Sequence, residues 1–276
     1  MRQSLWRLFA LGALLLLVLQ VGGCATVPAT VAVGDQEGER VAALFRQTLA
    51  AQRQCPGGLD AQVRVNLRSI WRSGSLQGFV QAMAPSSLKF VGVNPIGQPM
   101  IILATDGALF RAVVVPESAW YEGRVDAADF RKYAPADLDP ARGFFWLTGR
   151  LAPEGLRIEA VEKDAQGTAH WLTCSYPGEE VRQRVLFDPD TRLIRRHLVI
   201  GVNGRVAVDV GYDGHLPAGS GQPEACRLPG VVRVESAAHA GATLEMVLGD
   251  WLAEPGLTAL DFNVPVPPGF VRKPIE

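Results

Sequence analysis

The side chains that could carry out acid–base or metal chemistry are few and far apart in this sequence. The histidines stand at His170, His197, His215 and His239, without the HxH or HExxH spacing that brings two imidazoles to one metal ion. No serine occupies the centre of a GxSxG turn, and no glycine-rich phosphate loop is present. The nearest approach to a carboxylate pair is Glu179 and Glu180, but adjacent residues point to opposite faces of a strand or lie on a turn. We therefore expect no catalytic residues, no metal and no cofactor.

Cys24 has a more specific chemical context. A basic head precedes a nearly continuous apolar run from Leu8 to Val21, and two glycines lead into the cysteine. The pattern is typical of an export signal and is too short for a comfortable membrane span. The stretch also resembles the bacterial lipobox, in which the cysteine sulfur is acylated and the chain is cut just before it. We predict a signal peptide over residues 1–23 and lipidation of Cys24; the alternative is a plain secretory signal followed by a stray cysteine.

Lipidation would hold the mature chain on a membrane. Each acyl CH₂ contributes roughly 0.8 kcal/mol of membrane affinity, so several chains anchor a protein almost permanently. Ala25 follows the cysteine. Resemblance to Gram-negative lipoproteins implies that a chain without Asp at this position reaches the outer membrane, on its periplasmic face. Residues 24–35 show no apolar periodicity and are expected to form a flexible tether.

Composition excludes a nucleic-acid-binding role. The formal charge of the full chain is −1, and removal of residues 1–23 takes away Arg2 and Arg7 and leaves −3. No second long apolar segment follows Cys24, so we expect the remainder to be soluble and tethered. Its length fits one large all-β domain or two small domains.

Three cysteines remain after Cys24 in what would be an oxidising compartment. One pair and one leftover thiol is the natural arrangement, and the wide spacing forms no CxxC unit. We predict a disulfide between Cys174, on a predicted strand, and Cys226, in the loop before another strand. It would close a loop of about fifty residues and stabilise the protein by roughly 4 kcal/mol in the chain-entropy model. Pairing of Cys55 with Cys226 is the alternative.

Beyond the tether, the apolar pattern changes from a helical period to a strand period. Residues 41–53 have an apolar stripe at helical spacing, which ends at Pro56-Gly57-Gly58. Val63, Val65 and Leu67 then alternate with polar residues, as in a strand buried on one face. Further strands are predicted over 75–83, 88–93, 100–105, 109–115, 156–162, 168–176, 181–187, 192–200, 205–212, 231–236 and 243–252.

Two further helices interrupt the strands. Asp126 can cap a short helix that holds Phe130 and Tyr133, and Asp139-Pro140 starts another that runs through Leu147 and stops at Gly149. Asn203-Gly204 is a strong signal for a two-residue type I′ hairpin. About a dozen strands and three helices, too few for βαβ crossovers, predict a mainly β (α+β) protein whose antiparallel sheet curls around the helices.

Aromatic residues are spread over these strands and the middle helices. A sheet too large to be filled by three short helices leaves a cavity, and sheet-lined apolar cavities hold lipid-like ligands. The alternative is an ordinary filled core. The candidate lining residues are Trp71, Phe79, Phe90, Phe110, Phe145 and Trp146.

Three segments resemble one known family. The turn at 94–99, the acidic helix start within 121–130 and the helix end at 144–150 resemble, in order and spacing, the corresponding segments of LolB, and the lipobox agrees. The likeness covers residues 1 to about 150, and the later strands agree only in kind. It implies a single domain over 36–276 with an incomplete antiparallel β-barrel closed by helices. It also implies binding of acyl chains without enzymatic activity, receipt of lipoproteins from a LolA-like periplasmic carrier, and their insertion into the outer membrane.

The resemblance gives the turn at 94–99 a role. Ile96, between Pro95 and Gly97, would take the place of the exposed leucine that LolB proteins use for membrane insertion. The alternative is that Ile96 folds back onto the sheet edge. For the whole protein, the alternative function is a structural or assembly lipoprotein that acts as a protein-docking scaffold in the periplasm. A periplasmic hydrolase is the weaker rival.

Overall fold

One long β-sheet dominates the chain. The computed structural model describes residues 27–69, 73–127, 139–218, 226–237, 242–253 and 256–275. Within them, fifteen strands form a single sheet and two more form a separate pair. The strands are β1 (Thr30–Ala32), β2 (Gly58–Arg68), β3 (Ser73–Met83), β4 (Ser87–Val93), β5 (Pro99–Thr105), β6 (Leu109–Val114), β7 (Ala119–Arg124), β8 (Arg157–Asp164), β9 (His170–Ser175), β10 (Arg182–Asp188), β11 (Leu193–Ile200), β12 (Val206–Asp213), β13 (Leu216–Pro217), β14 (Arg227–Leu228), β15 (Val231–Ser236), β16 (Thr243–Ala253) and β17 (Val271–Ile275).

The sheet is almost entirely antiparallel. Its strand order is β1, β8, β9, β10, β11, β12, β15, β16, β2, β3, β4, β5, β6, β7 and β17, and β13 pairs with β14 apart from it. Among the described pairs only β7 and β17 run parallel. The two ends of the strand order do not join, so the sheet is an open, incomplete barrel, and the predicted mainly β fold class is confirmed.

Alternation of side chains decides which face of each strand is buried. In β2, Leu59, Ala61 and Val63 are buried, while the alternating residues Gln62 and Arg64 are exposed. The buried set belongs to the main apolar core on the concave face. A one-residue shift in register would expose all of it, so the pattern fixes both the strand and its inward face.

The first helix, α1 (Asp35–Gln52), supplies part of that core. Val41, Phe45 and Thr48 are buried, and the Phe45 ring lies 5.1 Å from the Phe187 ring at a steep angle. Near the start of the helix, Glu37 Oε1 is 3.0 Å from His170 Nε2, and this hydrogen bond lowers the pKa of the Glu37 carboxyl. The helix begins six residues earlier than the predicted residue 41. The tether predicted over 24–35 also contains β1, which pairs with β8 because the open edge of that strand accepts it.

The second helix, α2 (Gly143–Thr148), lies against the concave face. Asp139 Oδ1 accepts a hydrogen bond from Ala141 N at 2.9 Å in the preceding 3₁₀ turn, and Gly149, with φ +64°, ends the helix. The predicted helix from Asp139 to Leu147 is therefore confirmed. Of the helix predicted from Asp126, residues 128–138 lie outside the described residues.

Contacts of α2 show how strongly the sheet curls. Phe144 N donates to Pro85 O beside β4, while Tyr212 Oη on β12 donates to Trp146 O at 3.1 Å. Four strands separate β12 from β4, a distance of about 24 Å along a flat sheet. A helix with its side chains is only about 10–12 Å across. The sheet must therefore wrap around α2 for both contacts to exist.

The C-terminal segment covers part of the convex face. Val264, Val266 and Phe270 pack over a second apolar cluster that includes Val113 and Trp120. Trp120 Nε1 donates to Val264 O at 3.2 Å, and β17 then extends the sheet beside β7. This convex cluster and the parallel edge strand were not predicted from the sequence.

The predicted Cys174–Cys226 disulfide is wrong. Cys55, just after α1, is bonded to Cys226, just before β14, which is the pairing left as the alternative. Cys174 is a free, fully buried thiol on β9, where it lies within the main core. Burial raises the pKa of this thiol to about 12, so it is protonated and unreactive at neutral pH.

Candidate functional site

The concave face is the candidate site because it is apolar and only partly covered. The helix α1 contacts the strands toward one rim, where β2 and β4 begin, and α2 runs between a contact with Pro85 at that rim and the pairing of Arg142 with Glu179 in the turn after β9. Toward the opposite rim, Val65, Leu244 and Met246 are half-buried against the core, and Leu67, which pairs with Leu244, is 44% exposed. An apolar wall therefore reaches from the core to the rim at which β2 and β4 end, which we call the upper rim.

Five of the six predicted lining residues fall into three groups. Phe90 on β4 is half-buried against the main core, and Phe110 on β6 lies on the same face. Phe145 and Trp146 lie on α2, inside the curl of the sheet. Trp71 lies outside the described residues.

Phe79 does not line the concave face, which corrects the prediction. Side chains of β3 alternate between the two faces of the sheet. Val80 and Ala82 are buried in the core, whereas Phe79, one residue before Val80, is 47% exposed on the convex face. Phe79 instead lies opposite Val91 and Gln62, whose side chains point to the same convex side. An aromatic residue type alone does not fix the face; position within the alternation does.

A buried polar chain lies beneath α2. The Trp146 indole stacks on the His197 imidazole at 4.2 Å, and His197 Nε2 lies 2.8 Å from Gln183 Oε1. An amide oxygen only accepts, so Nε2 carries the proton and Nδ1 is bare. Complete burial lowers the pKa of His197 to about 3, which keeps the ring neutral.

The same chain continues to the start of α2. The Arg142 guanidinium forms an ion pair with Glu179 and lies 3.8 Å from the centre of the Tyr176 ring. The hydrogen bond to Glu179 raises the pKa of Arg142 despite its partial burial. These contacts hold the start of α2 against the turn between β9 and β10. They were missed from the sequence, although a histidine within the apolar run of β11 was a signal for a buried polar partner.

A small cavity adjoins this chain. Its volume is about 10 Å³, and Arg150, Trp146, His197 and Gln183 are among its lining residues. Three buried atoms of its lining residues have no hydrogen-bond partner within the described part of the chain: Trp146 Nε1, Arg150 Nε and His197 Nδ1. Two of them donate and one accepts, and a space of roughly 10–15 Å³ holds one water molecule. The cavity therefore has the size and the polar groups to hold one water molecule and is too small for an acyl chain.

Arg150 is a buried cation at this cavity. Its Nη1 donates to Pro56 O at 3.0 Å, and its guanidinium lies 5.9 Å from the centre of the Phe144 ring. Desolvation alone lowers its pKa to about 10, so it stays charged. Among the described residues, no group of His, Cys, Asp and Glu side chains could hold a metal ion.

The loop between β4 and β5 presents Ile96 to solvent. Asn94 Oδ1 accepts hydrogen bonds from Ile96 N at 3.1 Å and from Gln98 N at 2.9 Å, and Gly97 takes a positive φ of +82°. These bonds satisfy the backbone of the loop locally and leave the Ile96 side chain 77% exposed. Ile96 therefore does not fold back onto the sheet edge.

The architecture, an open antiparallel sheet curled around short helices, is a LolA/LolB-like fold. A DUF1329 family protein from Desulfovibrio piger matches with a TM-score of 0.57 at 10% identity, over 81% of this chain and 97% of that chain. A putative outer membrane lipoprotein-sorting protein domain from Vibrio parahaemolyticus matches with a TM-score of 0.55 at 11% identity, over 83% and 97%. A LolA superfamily protein from Nitrosomonas europaea matches with a TM-score of 0.54 at 11% identity, over 84% and 99%.

At the level of sequence, no protein-family model and no curated protein matches the chain. The likeness is therefore one of fold. None of the helices among the described residues is both long enough and apolar enough to cross a membrane.

Proposed function

We propose that this protein is a lipoprotein of the bacterial envelope that binds the acyl chains of other lipoproteins or lipids on its concave face. The observation that carries the proposal is the apolar wall that runs from the core to the upper rim and leaves Leu67 half uncovered. A folded protein gains nothing from exposing such a wall, and concave apolar surfaces are the usual sites for apolar ligands. The lipoprotein-sorting and LolA neighbours support the same class of ligand by their fold.

We further propose that Cys24 is acylated, that residues 1–23 are removed as a signal peptide, and that residues 36–276 act as one domain at the periplasmic face of the outer membrane. A LolA-like carrier would deliver the cargo, and no cofactor or nucleotide is needed because transfer follows differences in affinity. The exposed side chain of Ile96 would enter the bilayer at the end of the transfer.

Acyl-chain binding is tested by two substitutions of similar exposure on opposite faces of the sheet. Leu67→Asp places a charge on the concave wall, and Phe79→Asp places the same charge on the convex face of the neighbouring strand. In Leu67→Asp the bound fatty acid no longer buries an apolar side chain, a contact worth about 1.5–3 kcal/mol. Binding of a fluorescent fatty acid should therefore weaken about tenfold or more. Phe79→Asp should bind like the parent. Equal effects of the two substitutions, or no binding by the parent, would contradict the proposal.

Membrane delivery is tested at Ile96. Ile96→Glu should leave folding and acyl-chain binding intact, because the side chain is exposed, but should slow release of cargo into liposomes because burying a carboxylate is unfavourable. Gln98→Glu, in the same loop, is the matched control for added charge. Delivery by Ile96→Glu at the parental rate would remove the insertion role while leaving the acyl-binding proposal standing.

The filled space beneath α2 favours a second candidate. Phe145 and Trp146 occupy the interior, and the cavity beside them has room for about one water molecule. A protein-docking scaffold with a solid interior would have this appearance. The fatty-acid titration separates the two candidates, because a scaffold would not bind the probe.

A further inference from the structure

The upper rim carries, besides Ile96, another aliphatic residue that is 77% exposed. Because neighbouring strands run antiparallel, the turns β2–β3, β4–β5, β9–β10, β11–β12 and β15–β16 all lie at that rim. Val202, in the turn between β11 and β12, is 77% exposed, as Ile96 is in the turn between β4 and β5. Neither side chain packs on the sheet.

The loop that holds Val202 is closed by its own hydrogen bonds. Gly201 N donates to Arg205 O at 3.0 Å, Gly204 N donates to Gly201 O at 2.9 Å, and Asn203 Oδ1 accepts from Arg205 N at 3.0 Å. Only Gly204 of the pair Asn203-Gly204 has a positive φ, so the predicted two-residue type I′ turn is wrong and the loop has three residues. The extra residue places Val202 at the tip rather than at the end of a strand.

The two tips face each other across the concave face. In the sheet, β15, β16, β2 and β3 lie between β12 and β4, and the contacts of α2 with Tyr212 and with Pro85 require that this stretch is curled. The turn with Val202 and the turn with Ile96 therefore lie on opposite sides of the mouth. Leu67, on the wall between them, is also partly exposed.

We propose that Val202 is a second membrane-docking residue, which with Ile96 seats the mouth of the concave face flat on a lipid bilayer. The inference rests on the proposed acyl-binding function. One apolar tip would fix a point of contact and leave the mouth free to tilt, whereas two tips on opposite sides orient it. A bilayer is the occupant that fits, because separate aliphatic tips on rigid turns can each enter lipid without a shaped partner surface. The exposed Arg205 beside Val202 adds attraction to anionic headgroups.

A local probe tests the docking directly. In the whole chain carrying Cys24→Ala, Val202→Cys or Ile96→Cys provides a single site for an environment-sensitive fluorophore, because Cys174 is buried and the other two cysteines are bonded. Gln166→Cys, exposed in the β8–β9 turn at the opposite rim, is the matched control. We expect probes at 202 and 96 to shift to the blue on vesicles of phosphatidylethanolamine and phosphatidylglycerol and to be quenched by nitroxide-labelled lipid, while the probe at 166 is unchanged. A response at 96 without one at 202, or an equal response at all three sites, would overturn the proposal.

Substitution without a probe gives the second measurement. Val202→Asp should lower the fraction of protein bound to the same vesicles about tenfold, because an aliphatic side chain that enters the bilayer in the proposed docked state is replaced by a charge. Asn203 and Gly204 stay in place, so the turn and the fold are kept, and unchanged binding of a fluorescent fatty acid in solution reports this. If the parent does not bind the fatty acid but the probe at residue 202 still responds to vesicles, the acyl-binding function alone would be refuted. Unchanged vesicle binding of Val202→Asp would refute the docking role alone.

Discussion

Breaking the Cys55–Cys226 disulfide should remove a large part of the stability of this protein. The bond joins residues 171 positions apart and ties the end of α1 to the segment that enters β14. In the chain-entropy model a loop of this length restricts the unfolded chain by about 5 kcal/mol, and measured losses on removing native disulfides are about 2–5 kcal/mol. Because domains are stable by only about 5–15 kcal/mol, the loss should be easily measured.

The assay is urea unfolding followed by tryptophan fluorescence. Cys55→Ser with Cys226→Ser should lower the free energy of unfolding by about 2–5 kcal/mol, and the parent should lose a similar amount in dithiothreitol. The double variant should be insensitive to the reductant. Cys174→Ala is the control: it should remain sensitive, because its thiol lies in the core and is not bonded.

Two results would refute this reasoning. Loss of reductant sensitivity in Cys174→Ala would show that Cys174 is in the disulfide. Unchanged stability of the double variant would show that the cross-link does not constrain the unfolded chain, for example because α1 and the segment before β14 already associate there.

The remaining predictions concern pH, a buried charge and the anchor. Burial lowers the pKa of His197 to about 3 and that of His215 to about 4, both below their ordinary value, so the unfolded chain takes up protons first as the pH falls. The free energy of unfolding should therefore decrease as the pH falls below about 6.5, by up to ~1.4 kcal/mol per pH unit for each histidine. In urea titrations at pH 4.5–7, His197→Gln should show a smaller decrease than the parent. Arg150→Met removes a buried cation that has no acidic partner among the described residues, and it should raise the free energy of unfolding by about 1 kcal/mol in the same assay. A decrease would show that the contact with Pro56 O outweighs desolvation. Cys24→Ala should give a soluble or uncleaved form, and recovery of the mature variant in the membrane fraction with unchanged detergent partitioning would argue against the anchor.

The strands were predictable because their period is local. In β2 apolar residues alternate with polar ones, and in β12 larger apolar residues alternate with Ala207, Asp209 and Gly211, so both stretches show the two-residue period of a strand. The exposure of Ile96 was also predictable from the sequence, since Asn94 and Gly97 specify a tight turn and the side chain at its tip points away from the sheet.

Features that depend on distant contacts were not predictable in the same way. The β17 strand contains Arg272, Lys273 and Pro274 and has no apolar alternation; it is a strand because the edge of β7 accepts it. The partner of Cys226 was open for a related reason, because sequence separation does not determine which cysteines meet. Phe79 is a different case: counting the alternation from Val80 would have placed it on the convex face.

Because β7 pairs with β17, which lies far downstream in the chain, this edge of the sheet can form only late in folding. β7 ends at residue 124 and its partner begins at residue 271, so an interval of almost 150 residues separates them as the chain emerges from the ribosome or, in the exported protein that we propose, from the export channel. Throughout it, the edge of β7 and the apolar surface around Trp120 have neither partner strand nor cover. A chain with such an edge is prone to pair with its neighbours. Shielding of the edge of β7 until β17 has emerged would therefore favour correct folding over pairing between chains.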